Sequence, residues 1–60
     1  MRRFVVTIFN HRYMSLQKVN ILFADGELVS LDSVHRKVIN KLNTDGFMLI
    51  AWSLVDEFSF

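Results

Sequence analysis

Apolar and polar positions along this chain fall into three extended blocks and one helical block. In Phe4–Phe9, the residues Phe4, Val6 and Ile8 point to one side of an extended backbone and Val5, Thr7 and Phe9 to the other. Val5, Val6, Thr7 and Ile8 are β-branched, which suits a pleated strand. Both sides are largely apolar, so the pattern predicts a central strand, or one whose second face meets another chain.

Residues 16–24 fit two periods. Val19, Ile21 and Phe23 alternate with Lys18, Asn20 and Leu22 as in a half-buried strand, whereas Leu16, Val19 and Phe23 also suit a helix opened by Ser15 and stopped at Gly26. The strand is favoured because Asp25-Gly26 between apolar flanks signals a hairpin, with Glu27–Ser30 as a short returning strand.

The helical block is the clearest. Leu31, Val34, Val38 and Leu42 form one stripe with Ile39 at its edge, and predict a helix over 32–43. Ser30 or Asp32 can cap its start, Asp32 and Lys41 suit the two ends of its dipole, and Gly46 is placed to take a left-handed conformation beyond it. Residues 47–55 then read as a buried strand, with Met48, Ile50, Trp52 and Leu54 on one face and Phe47, Leu49, Ala51 and Ser53 on the other. The tail, Asp56–Phe60, ends in two phenylalanines expected at the surface.

The expected order is β-β-(short β)-α-β. It describes an α+β fold of two layers, one helix on a mostly antiparallel sheet of three or four strands, with residues 1–60 forming one domain. One helix covers one face. The other face, carrying some of Val5, Phe9, Leu49 and Ala51, becomes a candidate interface, and its edges could accept a further strand.

Composition strengthens that expectation. Apolar residues make up 52% of 60 positions, which argues against disorder. A chain of this length buries only about 60% of the surface it exposes when unfolded, so part of the apolar content must face solvent or a partner. There is no Cys, which removes disulfides and fits a reducing, cytoplasmic setting. Arg2-Arg3 precedes an apolar run too short for a leader, and 47–55 is too short for a membrane helix, so no membrane association is expected.

The net charge of +1 is unevenly spread. Residues 1–20 hold Arg2, Arg3, Arg12 and Lys18 without an acid, a charge of +4; residues 21–60 hold Arg36, Lys37 and Lys41 against Asp25, Glu27, Asp32, Asp45, Asp56 and Glu57, a charge of −3. Such polarity can steer a charged partner.

Candidate chemistry is sparse. Asp56 and Glu57 are strand neighbours that point to opposite faces and cannot share a proton. Asp32, Ser33 and His35 are spaced one and two apart, positions that do not face each other on a helix, and no nucleophile elbow accompanies them. His35 falls at the edge of the apolar stripe, as a packing residue would. His11 lacks companions for a metal site, and neither glycine belongs to a phosphate loop. No enzyme, cofactor or metal is expected.

Binding is the class that remains. The polar break Asn10-His11-Arg12-Tyr13 reads as a turn, because Asn can bond its own backbone there. Arg and Tyr are also favoured interface anchors. The expected partner-binding residues are Arg12, Tyr13, His11, Val5, Phe9 and Arg36. The expected function is docking on a larger protein to inhibit or modulate it, in the style of small phage-encoded inhibitors and antitoxins. Two alternatives stand beside it: a nucleic-acid-binding module using Arg2, Arg3, Arg12, Arg36 and Lys37, and a structural subunit of a homo-oligomer.

Overall fold

The computed structural model describes residues 1–58 and shows an α+β fold: one helix packed on a three-stranded antiparallel sheet. The strands are β1 (Arg2–Asn10), β2 (Ser15–Phe23) and β3 (Phe47–Glu57), in the spatial order β2-β1-β3; the helix is α1 (Leu31–Leu42). Phe60 of the expected aromatic tail lies outside the described residues.

β1, apolar on both sides, takes the centre of the sheet. Its Phe4, Val6 and Ile8 are buried under the helix, with Val19, Ile21 and Phe23 beside them on β2. Phe4 and Phe23 meet edge to face, 5.3 Å between ring centres. The alternation in residues 16–24 thus belongs to a strand; the helical alternative is not adopted.

The expected returning strand at Glu27–Ser30 does not form. Asp25-Gly26 does make a turn, closed by the Glu27 N–H donating to the Ala24 carbonyl at 3.1 Å. Of the two central residues only Gly26 has a positive φ, +82°. A hairpin turn of the Asp-Gly kind needs positive φ at both central residues; positive φ at the second alone gives a type II turn, which does not match the twist of paired strands. The chain therefore leaves the sheet and enters the helix.

Ser30, not Asp32, caps α1. Its hydroxyl accepts from the Ser33 N–H at 3.2 Å while the Ser33 hydroxyl accepts from the Ser30 N–H at 2.9 Å, a reciprocal box. At the other end the left-handed residue is Asn43 (φ 58°), whose N–H reaches the Ile39 carbonyl at 2.7 Å. Gly46, expected in that role, lies three residues later and does not have a positive φ. Val34 and Val38 are fully buried, and Ile39 and Leu42 pack against them. Leu31 departs from the expected stripe at 62% exposed, because α1 packs closest to β2 and its first turn is left uncovered.

β3 differs most from its expected form. Thr7 pairs with Ala51 but Ile8 pairs with Leu49, so Ile50 is an extra residue. A second slip, between Arg3 and Phe4, leaves Val55 extra. A bulge interrupts the alternation of faces. Phe47 and Leu49 therefore share the helix side with Trp52 and Leu54, which pair with Val6 and Phe4, while Met48, Ala51 and Ser53 face away. Strict alternation separated these two groups; the bulge joins them.

Candidate binding surface

The β1–β2 connection is organised by Asn10. This side chain is only 5% exposed, and all of its buried polar atoms are satisfied. Its Oδ1 accepts from the N–H groups of Arg12 (2.9 Å) and Tyr13 (3.3 Å), and its Nδ2 donates to Gln17 Oε1 (3.1 Å). Met14 closes the four-residue loop in a left-handed conformation, φ 52°. The His11 N–H donates to the Gly46 carbonyl at 3.0 Å, tying the loop to the start of β3.

That framework leaves the intervening side chains outside. His11, Arg12, Tyr13 and Met14 are all exposed. The Arg12 guanidinium lies 5.6 Å from the centre of the Tyr13 ring, and the His11 ring meets Phe9 edge to face at 5.7 Å. Between this loop and the end of α1 lies a cleft of about 400 Å³, bordered by Arg12, Tyr13, Gln17 and Asn43.

The sheet face away from the helix can be read row by row. Phe9 stands between Leu16 and Met48, a fully apolar row next to the loop, with Leu16 66% and Met48 51% exposed. Thr7 lies between Lys18 and Ala51, and Val5 between Asn20 and Ser53. Arg3 lies between Leu22 and Asp56 and holds the Asp56 carboxylate through two hydrogen bonds of 2.8 and 3.2 Å. The one fully apolar row is thus at the loop end, while Leu22, 48% exposed, stands beside Arg3 at the other.

Of the residues singled out in the sequence, His11, Arg12, Tyr13 and Phe9 come together at this tip. Val5 sits mid-face in a polar row, and Leu49 lies on the helix side. Arg36 is on α1, on the opposite side of the sheet, and pairs with Asp32 one turn away. Leu16, Met48 and Met14 complete the tip and were not singled out. Counting the strands outward from a four-residue loop places Leu16 opposite Phe9; nothing comparable marks Met48.

The cations assigned to nucleic acid are mostly engaged within the molecule. Arg2 donates to the carbonyls of Ala24 and Glu27, Arg3 holds Asp56, Arg36 holds Asp32, and Lys37 reaches Glu27 at 3.0 Å while lying 4.7 Å from the Phe23 ring centre. Glu27 also accepts from the Ala24 N–H at 2.9 Å, and that bond, with the Lys37 contact, holds its carboxyl below the usual range. Asp25 is lowered by its hydrogen bond with the N-terminal amine at 2.6 Å and by the charge of that amine. Among the described residues no acid forms an ion pair with Arg12. His35, half-buried, packs its ring 5.2 Å from Phe47. Among the described residues no three of His, Cys, Asp and Glu converge as metal ligands, and no helix is long and apolar enough to cross a membrane.

No protein family, no curated protein and no solved structure matches this chain.

Proposed function

We propose that the protein is a small binding module that docks on a larger protein through the β1–β2 tip and thereby inhibits or modulates it. The supporting observation is the Leu16–Phe9–Met48 row, exposed at Leu16 and Met48 and continuous with a hydrogen-bonded loop that presents Tyr13 and Arg12. An apolar centre rimmed by Arg and Tyr is the usual composition of a protein–protein contact. The loop is held from beneath by Asn10, so little ordering is left to be done on binding. Docking of this kind needs one complementary surface and no catalytic pocket, a task within reach of 60 residues. The lack of Cys suits action in the cytoplasm.

Affinity capture with tagged protein, in the presence and absence of nuclease, tests the proposal when run beside two tip variants. A protein partner held at fixed stoichiometry after nuclease, and lost from both Leu16→Glu/Met48→Glu and Arg12→Ala/Tyr13→Ala, supports it. Retention by both variants, with fold intact, overturns it. Loss of all retained material on nuclease treatment also overturns it and transfers the role to nucleic acid.

A further inference from the structure

We infer that the outer edge of β3 is a self-association edge: two copies pair β3 with β3, antiparallel, about a two-fold axis normal to the sheet and centred on Ser53. The result is a six-stranded sheet with both helices on one side. This inference is independent of the tip.

The two edges of the sheet are not alike. Along β2, Lys18 is exposed and Lys41 donates its ammonium to the Asn20 carbonyl at 2.7 Å, with the helix close by. Charge and a covered carbonyl are devices that keep an edge from pairing. β3 lacks them over residues 47–55, which contain no charge, Pro or Gly; six of these nine residues are exposed. Its two bulges bracket the segment 51–54, which leaves a short regular stretch free to pair.

The helix layer gives the reason for a second copy. Because α1 packs closest to β2, the helix side of the sheet is thinly covered over the second half of β3: Leu54 is 48% exposed and Trp52 only half-buried, whereas Phe47 at the start of the strand is buried beneath His35. A second copy joined at β3 sets its own thinly covered half beside this one and makes a groove between two helices. Pairing there would cover the half-exposed Leu54 and Trp52 of both copies.

Symmetry restricts the register. A two-fold axis normal to the sheet keeps each face on its own side, so a residue must pair with one on the same face. The axis must then pass through a residue, not between two. Centring on Ser53 places Trp52 opposite the partner's Leu54, twice over, on the thinly covered helix side. The antiparallel sense also separates the acids. Asp56 and Glu57 of one copy lie toward the partner's Ile50 and Leu49, the end that carries His11 and Arg12, where a parallel arrangement would stack acid on acid.

Sedimentation equilibrium over a concentration series reads the association directly. The wild type is expected to pass from 7.1 kDa to twice that mass. Leu54→Lys, at a half-exposed site, is expected to raise the dissociation constant at least about tenfold with unchanged circular dichroism. With no native Cys, Ser53→Cys creates a unique thiol that meets its copy directly across the axis, at about 4.5–5.5 Å between Cα atoms, within disulfide reach. Mild oxidation should convert it to a covalent dimer, while Asn20→Cys on the β2 edge should stay monomeric. A monomer at every concentration to about 1 mM, or cross-linking through Asn20→Cys and not Ser53→Cys, overturns the inference. Should Leu54→Lys unfold, the pair of cysteine variants decides alone.

Discussion

Asn10 and Gln17 meet on the helix side of the sheet, the Asn10 amide donating to Gln17 Oε1 at 3.1 Å while its other end holds the Arg12 and Tyr13 N–H groups. One buried amide therefore serves both the strand pair and the loop. Asn10→Ala leaves two loop N–H groups and the Gln17 carbonyl without that partner, and should cost about 2 kcal/mol. Urea denaturation should show the loss. Asn10→Asp should recover part of it, because its carboxylate oxygen can still accept from the loop.

Phe23 fills the centre of the core, fully buried between Phe4 and the Lys37 ammonium. Phe23→Ala should cost about 3–5 kcal/mol, as much as a core of this size supplies in total. The variant should give an unfolded circular dichroism spectrum at 25 °C. Phe23→Leu should remain folded with a lower urea midpoint.

The Ser30–Ser33 box satisfies the Ser33 and Ser30 N–H groups, one at the free start of α1 and one on the cap itself. Ser30→Ala should lower stability by about 1 kcal/mol and Ser30→Asp by much less, since Asp caps as well as Ser. Thermal melts of the two variants check the difference. A box built from two serines is an uncommon version of the Ser-x-x-Glu pattern, so only its first residue was legible in the sequence.

Asp25 and Glu27 titrate below their ordinary values in the folded chain. For a depressed carboxyl, the unfolded state takes up its proton first on acidification. The stabilisation is complete above the unfolded value and is lost as pH falls through the folded one. Stability should therefore decline from about pH 4.5, the ordinary Glu value, downward. Glu27→Gln should be less stable than the wild type at pH 7 and should converge with it as acid protonates Glu27 in the folded state. A constant gap across that range would show that the contribution of Glu27 is not carried by its charge.

β1, β2 and α1 were legible because each buries one periodic face, as Val34 and Val38 do on α1 and Val19, Ile21 and Phe23 on β2. The loop at Asn10 was legible from its residue types. Three features were not. Whether Asp25-Gly26 makes a hairpin depends on the sign of one φ angle, at Asp25, which either residue type allows. The exposure of Leu31 follows from where the helix settles on the sheet, a tertiary matter. The slip at Ile50 has no marker at all, since Leu49, Ile50 and Ala51 suit a regular strand as well as a bulged one. For the tip, the loop residues were visible from composition, but the Leu16–Phe9–Met48 row requires the register of all three strands.

The extra residue at Ile50 has a consequence for how the chain length can vary. Removing Ile50 restores simple alternation: Phe47, Leu49, Trp52 and Leu54 stay on the helix side, and Met48, Ala51 and Ser53 stay opposite. Removing a residue from the middle of β1, such as Thr7, would instead turn half the core outward. Related chains should therefore differ in length at Ile50 more readily than at any position of β1. A one-residue deletion there would change the local twist of the strand and keep every buried side chain in place.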